Sequence, residues 1–165
     1  EVFSAPDFRL TEGVMRATRP VMVLGELVDG AELTFEGGKV VRCRADRGEA
    51  VLRSFLDVDP GSRYLGEVAL VDGSSPIYES GHIFFNTLLD ENAACHVALG
   101  SAYPGCVEGG KGLSQEELSE AGVNQSIQHT DFMIGSNETD VLARDADGNS
   151  VDIIRNGQFV VDLQR

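Results

Sequence analysis

"TLLDENAACHVALGSAY", residues 87–103, joins an apolar, strand-like run to a set of ionisable side chains: Asp90, Glu91, Cys95, His96 and Tyr103. Its second half, "CHVALGSAY", has the composition of a strand buried on both faces. A carboxylate or imidazole is excluded from such a place unless it is paired, hydrogen-bonded or bound to metal. The stretch therefore predicts buried strand structure together with distant partners that satisfy its charges.

Working outward, "RYLGEVALVDG" (63–73) and "SIQHTDFMIGS" (126–136) read as two more buried strands. "RPVMVLGELV" (19–28) reads as one strand, and "AELTFEGGKVVRCRA" (31–45) as a hairpin turning at "EGG". The tail, residues 139–163, predicts a hairpin turning at Asp147 and Gly148 and a second turn at Asn156 and Gly157. Helices are fewer. Residues 46–57 are expected to form one with Asp46 as N-cap, and residues 114–121 another, where Ser114 and Glu117 have capping-box spacing and Gly122 ends the run. "FFNTLLDENA" (84–93) is open between helix and loop. Strands and helices do not alternate regularly, which disfavours a doubly wound nucleotide-binding fold. The expected class is α+β: a β-rich mixed sheet with a few helices, in one domain over residues 1–165.

The chain has 165 residues, 42% of them hydrophobic, enough to bury about two-thirds of the unfolded surface. Its 27 acidic residues against 13 basic ones give a formal charge of -14, which argues against nucleic acid or an anionic membrane as partner. Cys43, Cys95 and Cys106 are odd in number and lack CxxC spacing, so neither a disulfide framework nor a structural zinc site is expected; a reducing cytoplasm fits. No apolar run reaches the roughly 18 residues of a membrane span.

The remaining ionisable residues in apolar segments suggest what satisfies Glu91 and His96. His129 and Asp131, two apart, leave the same face of a strand and can meet at one cation; an isolated HxD is also explained by a His–Asp hydrogen bond at a strand end. Glu91 and His96, five apart, share neither a helix face nor a strand face, and converge only if a turn intervenes near Ala93. Glu67, an acid inside the strand pattern "YLGEVALV", would by itself mark an edge or a change of register. Taken together, Glu67, Glu91, His96, His129 and Asp131 are the oxygen and nitrogen donors of a hydrolytic metal centre. Other motifs carry less. "EGGKG" (108–112) lacks phosphate-loop spacing, and "DADGN" (145–149) lacks the glutamate a calcium loop needs at its twelfth position, where, counting from Asp145, Asn156 stands. Cys95 is expected in the core, and a serine-nucleophile elbow is absent.

"GEVALV", "SPI", "NTLLDENAACHVALGSAY", "GVNQSIQHTDFMIGS" and "NG-F" resemble, in order and spacing, the catalytic half of the thermophilic aminopeptidase T family, which includes aminopeptidase S and its relatives. The resemblance runs along essentially the whole chain. It implies a cytoplasmic metallo-aminopeptidase with two divalent ions (zinc, cobalt or manganese), peptide substrates, and a homodimer in the full-length enzyme. It places metal ligands on Glu67, Glu91, His96, His129 and Asp131, with Glu67 as bridging and catalytic carboxylate, and an active-site tyrosine on Tyr103. A further ligand falls on Glu1, through an "EEVF-AP"-like motif. The chain is accordingly expected to be the C-terminal catalytic part of a longer enzyme whose N-terminal domain is absent. No role falls on His82.

Overall fold

The computed structural model describes residues 1–161; the predicted tail's last positions, 162 and 163, lie outside the described residues. The chain opens with β1 (Val2–Ser4) and β2 (Gly13–Arg16). It continues through β3 (Val21–Val23), β4 (Glu26–Val28), β5 (Glu32–Glu36) and β6 (Lys39–Arg44) to helix α1 (Glu49–Leu56). Then follow β7 (Leu65–Leu70), short helices α2 (Pro76–Ser80) and α3 (Thr87–Asp90), β8 (His96–Gly100), α4 (Gln115–Glu120) and β9 (His129–Met133). β10 (Val141–Arg144), β11 (Ser150–Arg155) and β12 (Gln158–Phe159) complete the described chain. The α+β, strand-rich class holds. The strands are divided among four small sheets, ordered β1-β7-β8-β9, β2-β5-β6, β3-β4 and β10-β11-β12, and every pairing is antiparallel.

Two local expectations are corrected. "RPVMVLGELV" is a tight hairpin instead of one strand, because Leu24 (φ 48°) and Gly25 (φ 82°) both take positive φ, the requirement of a two-residue turn matched to strand twist. Asp46 does not cap α1. Residues 46 and 47 are held to Asp29 by backbone hydrogen bonds, so the helix cannot begin until Gly48, whose left-handed φ of 77° makes the corner. The capping box at Ser114 and Glu117 is present with both hydrogen bonds. "FFNTLLDENA" resolves into α3 followed by a 3-10 turn, Glu91–Ala93.

β8 is buried at all five residues because the two sides of its sheet have different covers. Val97 and Leu99 point into the main core with Leu65 and Phe132, against Leu33 and Phe35 of β5 and Leu52, Phe55 and Leu56 of α1. His96, Ala98 and Gly100 alternate to the opposite side. One bulge decides which side Glu67 takes. Leu65 pairs with Leu99 in the core, but Glu67 pairs with Ala98, so Gly66 is an extra residue and the register slips by one. Without that slip Glu67 would face the hydrocarbon core. A Cβ on Gly66 would lie 2.4 Å from the Gly100 carbonyl oxygen, so the bulge needs glycine.

Beyond Gly100 the chain is pinned by the buried Asn124, whose amide donates to the carbonyls of Gly61 (2.8 Å) and Gly100 (2.6 Å). Beneath it, Asp59 accepts from the Ser62 N–H (2.9 Å), the Ser126 hydroxyl (2.9 Å) and the Ile127 N–H (2.8 Å). Burial alone would raise its pKa, but these donors outweigh burial and hold the carboxyl below the ordinary aspartate value. Its contribution is thus complete above the unfolded pKa of about 3.9 and is lost as pH falls through the lower folded value. Asp59→Ala is expected to cost about 2 kcal/mol at pH 7. Urea unfolding at pH 7 and pH 3 checks this: the gap between variant and parent should shrink in acid.

Candidate metal centre

The face of the β1-β7-β8-β9 sheet turned away from the core carries the ionisable residues. Register places Glu67 and Asp131 on either side of Ala98, and His129 opposite Gly100. The methyl of Ala98 and the bare Gly100 leave room above the middle strand for side chains arriving from both neighbours. On the far edge, Phe3 pairs with Ala69, so the alternation that brings Phe3 to this face also brings Glu1.

Oxygen or nitrogen atoms of Glu67, His96 and Asp131 lie within 4.8 Å of one another. His96 Nε2 stands 3.4 Å from Glu67 Oε1 and 3.5 Å from Glu1 Oε2. Across the cleft His129 Nε2 lies 3.3 Å from Asp131 Oδ1 and 4.0 Å from Glu67 Oε2. Glu91 begins the 3-10 turn that separates α3 from β8, the interruption its spacing to His96 demanded. Burial raises the Glu91 carboxyl, and the neighbouring Asp131 and Glu1 carboxylates raise it further. Glu67 is likewise raised by burial and then by Asp131. These five residues and Glu1 are thereby brought together.

Both imidazoles are oriented by backbone carbonyls. His96 Nδ1 faces the Ala94 carbonyl at 3.1 Å and His129 Nδ1 the Ser101 carbonyl at 2.7 Å. Since a carbonyl only accepts, Nδ1 is the donor in each ring. In neutral His96, Nε2 is then a bare lone pair; it is fully buried, makes no hydrogen bond among the described residues, and points at carboxylate oxygens. Lone pairs converging on a dry point are the arrangement a cation completes, and a carbonyl on the other ring nitrogen is the usual support of a metal-binding imidazole. The residues therefore fit a divalent ion. His129 differs: the Asp131 carboxylate, against partial burial and with the Ser101 carbonyl helping, pushes its pKa up to about 9.

Tyr103 follows the Gly100 turn, is more than half exposed, and lines a cavity of about 330 Å³ with Phe3, Ser101, Ala102, Glu67 and His129. His82 is exposed, hydrogen-bonded through Nδ1 to the Ser80 carbonyl and adjacent to Phe84. Cys95 lies in the core, its thiol donating to the Val71 carbonyl. Reading the sequence missed Phe3 and the orienting Ser101 carbonyl. Strand alternation from Glu1 could have found Phe3; a backbone acceptor leaves no sequence signal.

The profile of the family described as thermophilic metalloprotease (M29) matches residues 1–159. The chain belongs to this family. It is 48% identical over 161 residues to aminopeptidase T of Thermus aquaticus and 47% identical over 161 residues to aminopeptidase PepS of Streptococcus thermophilus, covering 98% of this chain in each case. The solved structure of wild-type AmpT from Thermus thermophilus superposes with a TM-score of 0.90 at 48% identity, over 96% of this chain. The chain spans 39% of the length of each of these M29 relatives. No helix among the described residues is long and apolar enough to cross a membrane.

Proposed function

We propose that the chain carries the catalytic centre of a metal-dependent aminopeptidase that removes the N-terminal residue of peptides. The observation that carries this reading is the buried, unpaired Nε2 of His96 aimed at Glu67 and Glu1, in a chain of the M29 metalloprotease family. Glu67 turns Oε1 toward His96 and Oε2 toward His129, as a carboxylate shared by two cations would. The holding groups would be Glu1, Glu67, Glu91, His96, His129 and Asp131, whose carboxylates suit a pair of divalent ions: zinc, cobalt or manganese. Such a pair, when bound, polarises the scissile carbonyl and makes hydroxide available near neutral pH.

The chain's own residues do the rest. Glu91, at the start of the 3-10 turn, would serve as a terminal ligand or as the carboxylate that carries a proton to the leaving amine, and Glu67 as the bridging carboxylate that fixes the site. Tyr103, which lines the adjoining cavity, would donate to the developing oxyanion. The Val97, Leu99 and Phe132 side keeps the sheet rigid beneath them. A cytoplasmic setting is supported by three free cysteines, and homodimerisation of a longer enzyme by the resemblance alone. The 39% span also supports a second reading, a metal-binding part that needs further chain for turnover.

Metal content of the purified chain, with Glu67→Ala and His96→Ala beside it, tests the centre; unchanged content in both variants refutes it. Hydrolysis of aminoacyl-p-nitroanilides should vanish with EDTA and return with cobalt, zinc or manganese. Turnover per metal site far below that of a full-length relative selects the second reading.

A further inference from the structure

One buried carboxylate next to the cleft has no part in the chemistry above. Asp90 is 3% exposed and ends α3, one residue before Glu91. Its two oxygens accept from two backbone donors, Oδ1 from the Phe84 N–H at 2.8 Å and Oδ2 from the Asn86 N–H at 3.0 Å. Between these donors Phe85 takes φ 54°, a left-handed backbone that a bulky side chain disfavours. Phe85 is 57% exposed, so its own burial does little to offset that strain; the charge-assisted bonds to Asp90 on either side hold the turn.

The same clamp reaches Glu91 through the backbone. Asp90 (φ -67°, ψ -28°) and Glu91 (φ -57°, ψ -33°) are consecutive residues in the right-handed helical region. Their side chains therefore leave the chain about 100° apart, and fixing one direction fixes the other. On the far side of Glu91, the Asn92 carbonyl accepts from the Ser75 hydroxyl. Burial and neighbouring charges act on the Glu91 carboxylate without a hydrogen bond among the described residues, so its direction is left to the turn that carries it. That turn packs against β9, the strand of His129 and Asp131. Resting on Glu91 as a ligand of the metal centre, we infer that Asp90 is its positioning residue: by gripping the backbone of residues 84–86 it holds the Glu91 carboxylate toward His96 and Asp131, ready for the ions.

Cobalt binding to the metal-free chain, measured by competition with a chelator, tests this without turnover. Asp90→Ala should bind cobalt about 10- to 100-fold more weakly, with Asp90→Asn, whose amide oxygen keeps one of the two bonds, between it and the parent. In a Glu91→Gln background, itself weakened, Asp90→Ala should add less than about a twofold loss, because the carboxylate it orients is gone. A further loss in that background as large as in the parent would make Asp90 a general support of the fold and overturn the role. If Asp90→Ala does not fold, Asp90→Asn alone and with Glu91→Gln completes the same cycle. Weaker binding in Glu91→Gln with none in either Asp90 variant refutes the positioning role and leaves the metal centre standing. Unchanged binding in Glu91→Gln removes Glu91 from the ligands and the role of Asp90 with it, while Glu67→Ala and His96→Ala still report on the centre.

Discussion

Tyr103→Phe is expected to lower kcat by about 10²- to 10³-fold, a loss of about 2.7 to 4 kcal/mol of transition-state stabilisation, with metal content unchanged. Backbone features that the variant leaves intact hold residue 103 beside the site. β8 ends at Gly100 with φ 105°, where a Cβ would lie 2.1 Å from the Gln128 carbonyl oxygen. Asn124 then fixes that end, and the segment settles over a small apolar cluster of Ala102, Leu118 and Val123. Ser101, the other hydroxyl on the cavity wall, turns to the Ala102 carbonyl. The phenylalanine ring preserves the wall while deleting the donor, so the effect should appear equally in kcat and kcat/KM, the mark of an interaction made only in the transition state. A rise in KM at constant kcat would reduce Tyr103 to a wall and refute its role as donor.

The positions that were legible share a cause: their signal is local. The His129–Asp131 alternation, the capping box at Ser114 and the turns at Gly37 and Asn156 depend on neighbours within four residues. Glu67 shows where locality ends. An acid in an apolar strand was visible, but its face depends on the slip at Gly66, which is set by the Gly100 and Ser101 carbonyls across the sheet. Alternation from Leu65 alone would have turned Glu67 into the core. The start of α1 failed for the same reason: Asp46 has cap chemistry, yet its backbone is held by Asp29, seventeen positions earlier. Leu24 shows the limit of composition, since a leucine at φ 48° offers nothing of the Asn-Gly signal that a hairpin turn usually carries.

Adding cobalt or zinc to the metal-free chain should raise its Tm by roughly 10 °C at a free concentration near 1,000 Kd, where linkage gives about 4.1 kcal/mol and each kcal/mol is worth about 2 to 4 °C at this size. His96→Ala should lose most of that increment, because it removes the buried side-chain lone pair that has no hydrogen-bond partner among the described residues. The increment should also grow with pH. Metal-free, the Glu67 and Glu91 carboxyls are raised by burial and by facing Asp131, so their charging destabilises the fold as pH rises through their folded values. His129 adds to the trend: its pKa of about 9 gives a stabilisation complete below the unfolded value of about 6.5 and lost as pH rises through 9. Cations replace those protons, so proton release accompanies binding and the metal-derived gain is larger where the protons are already gone. Thermal unfolding at pH 6, 7.5 and 9, with and without metal, measures both slopes. An increment independent of pH, or equal in His96→Ala, would show that the ions stabilise the chain from somewhere other than this cleft.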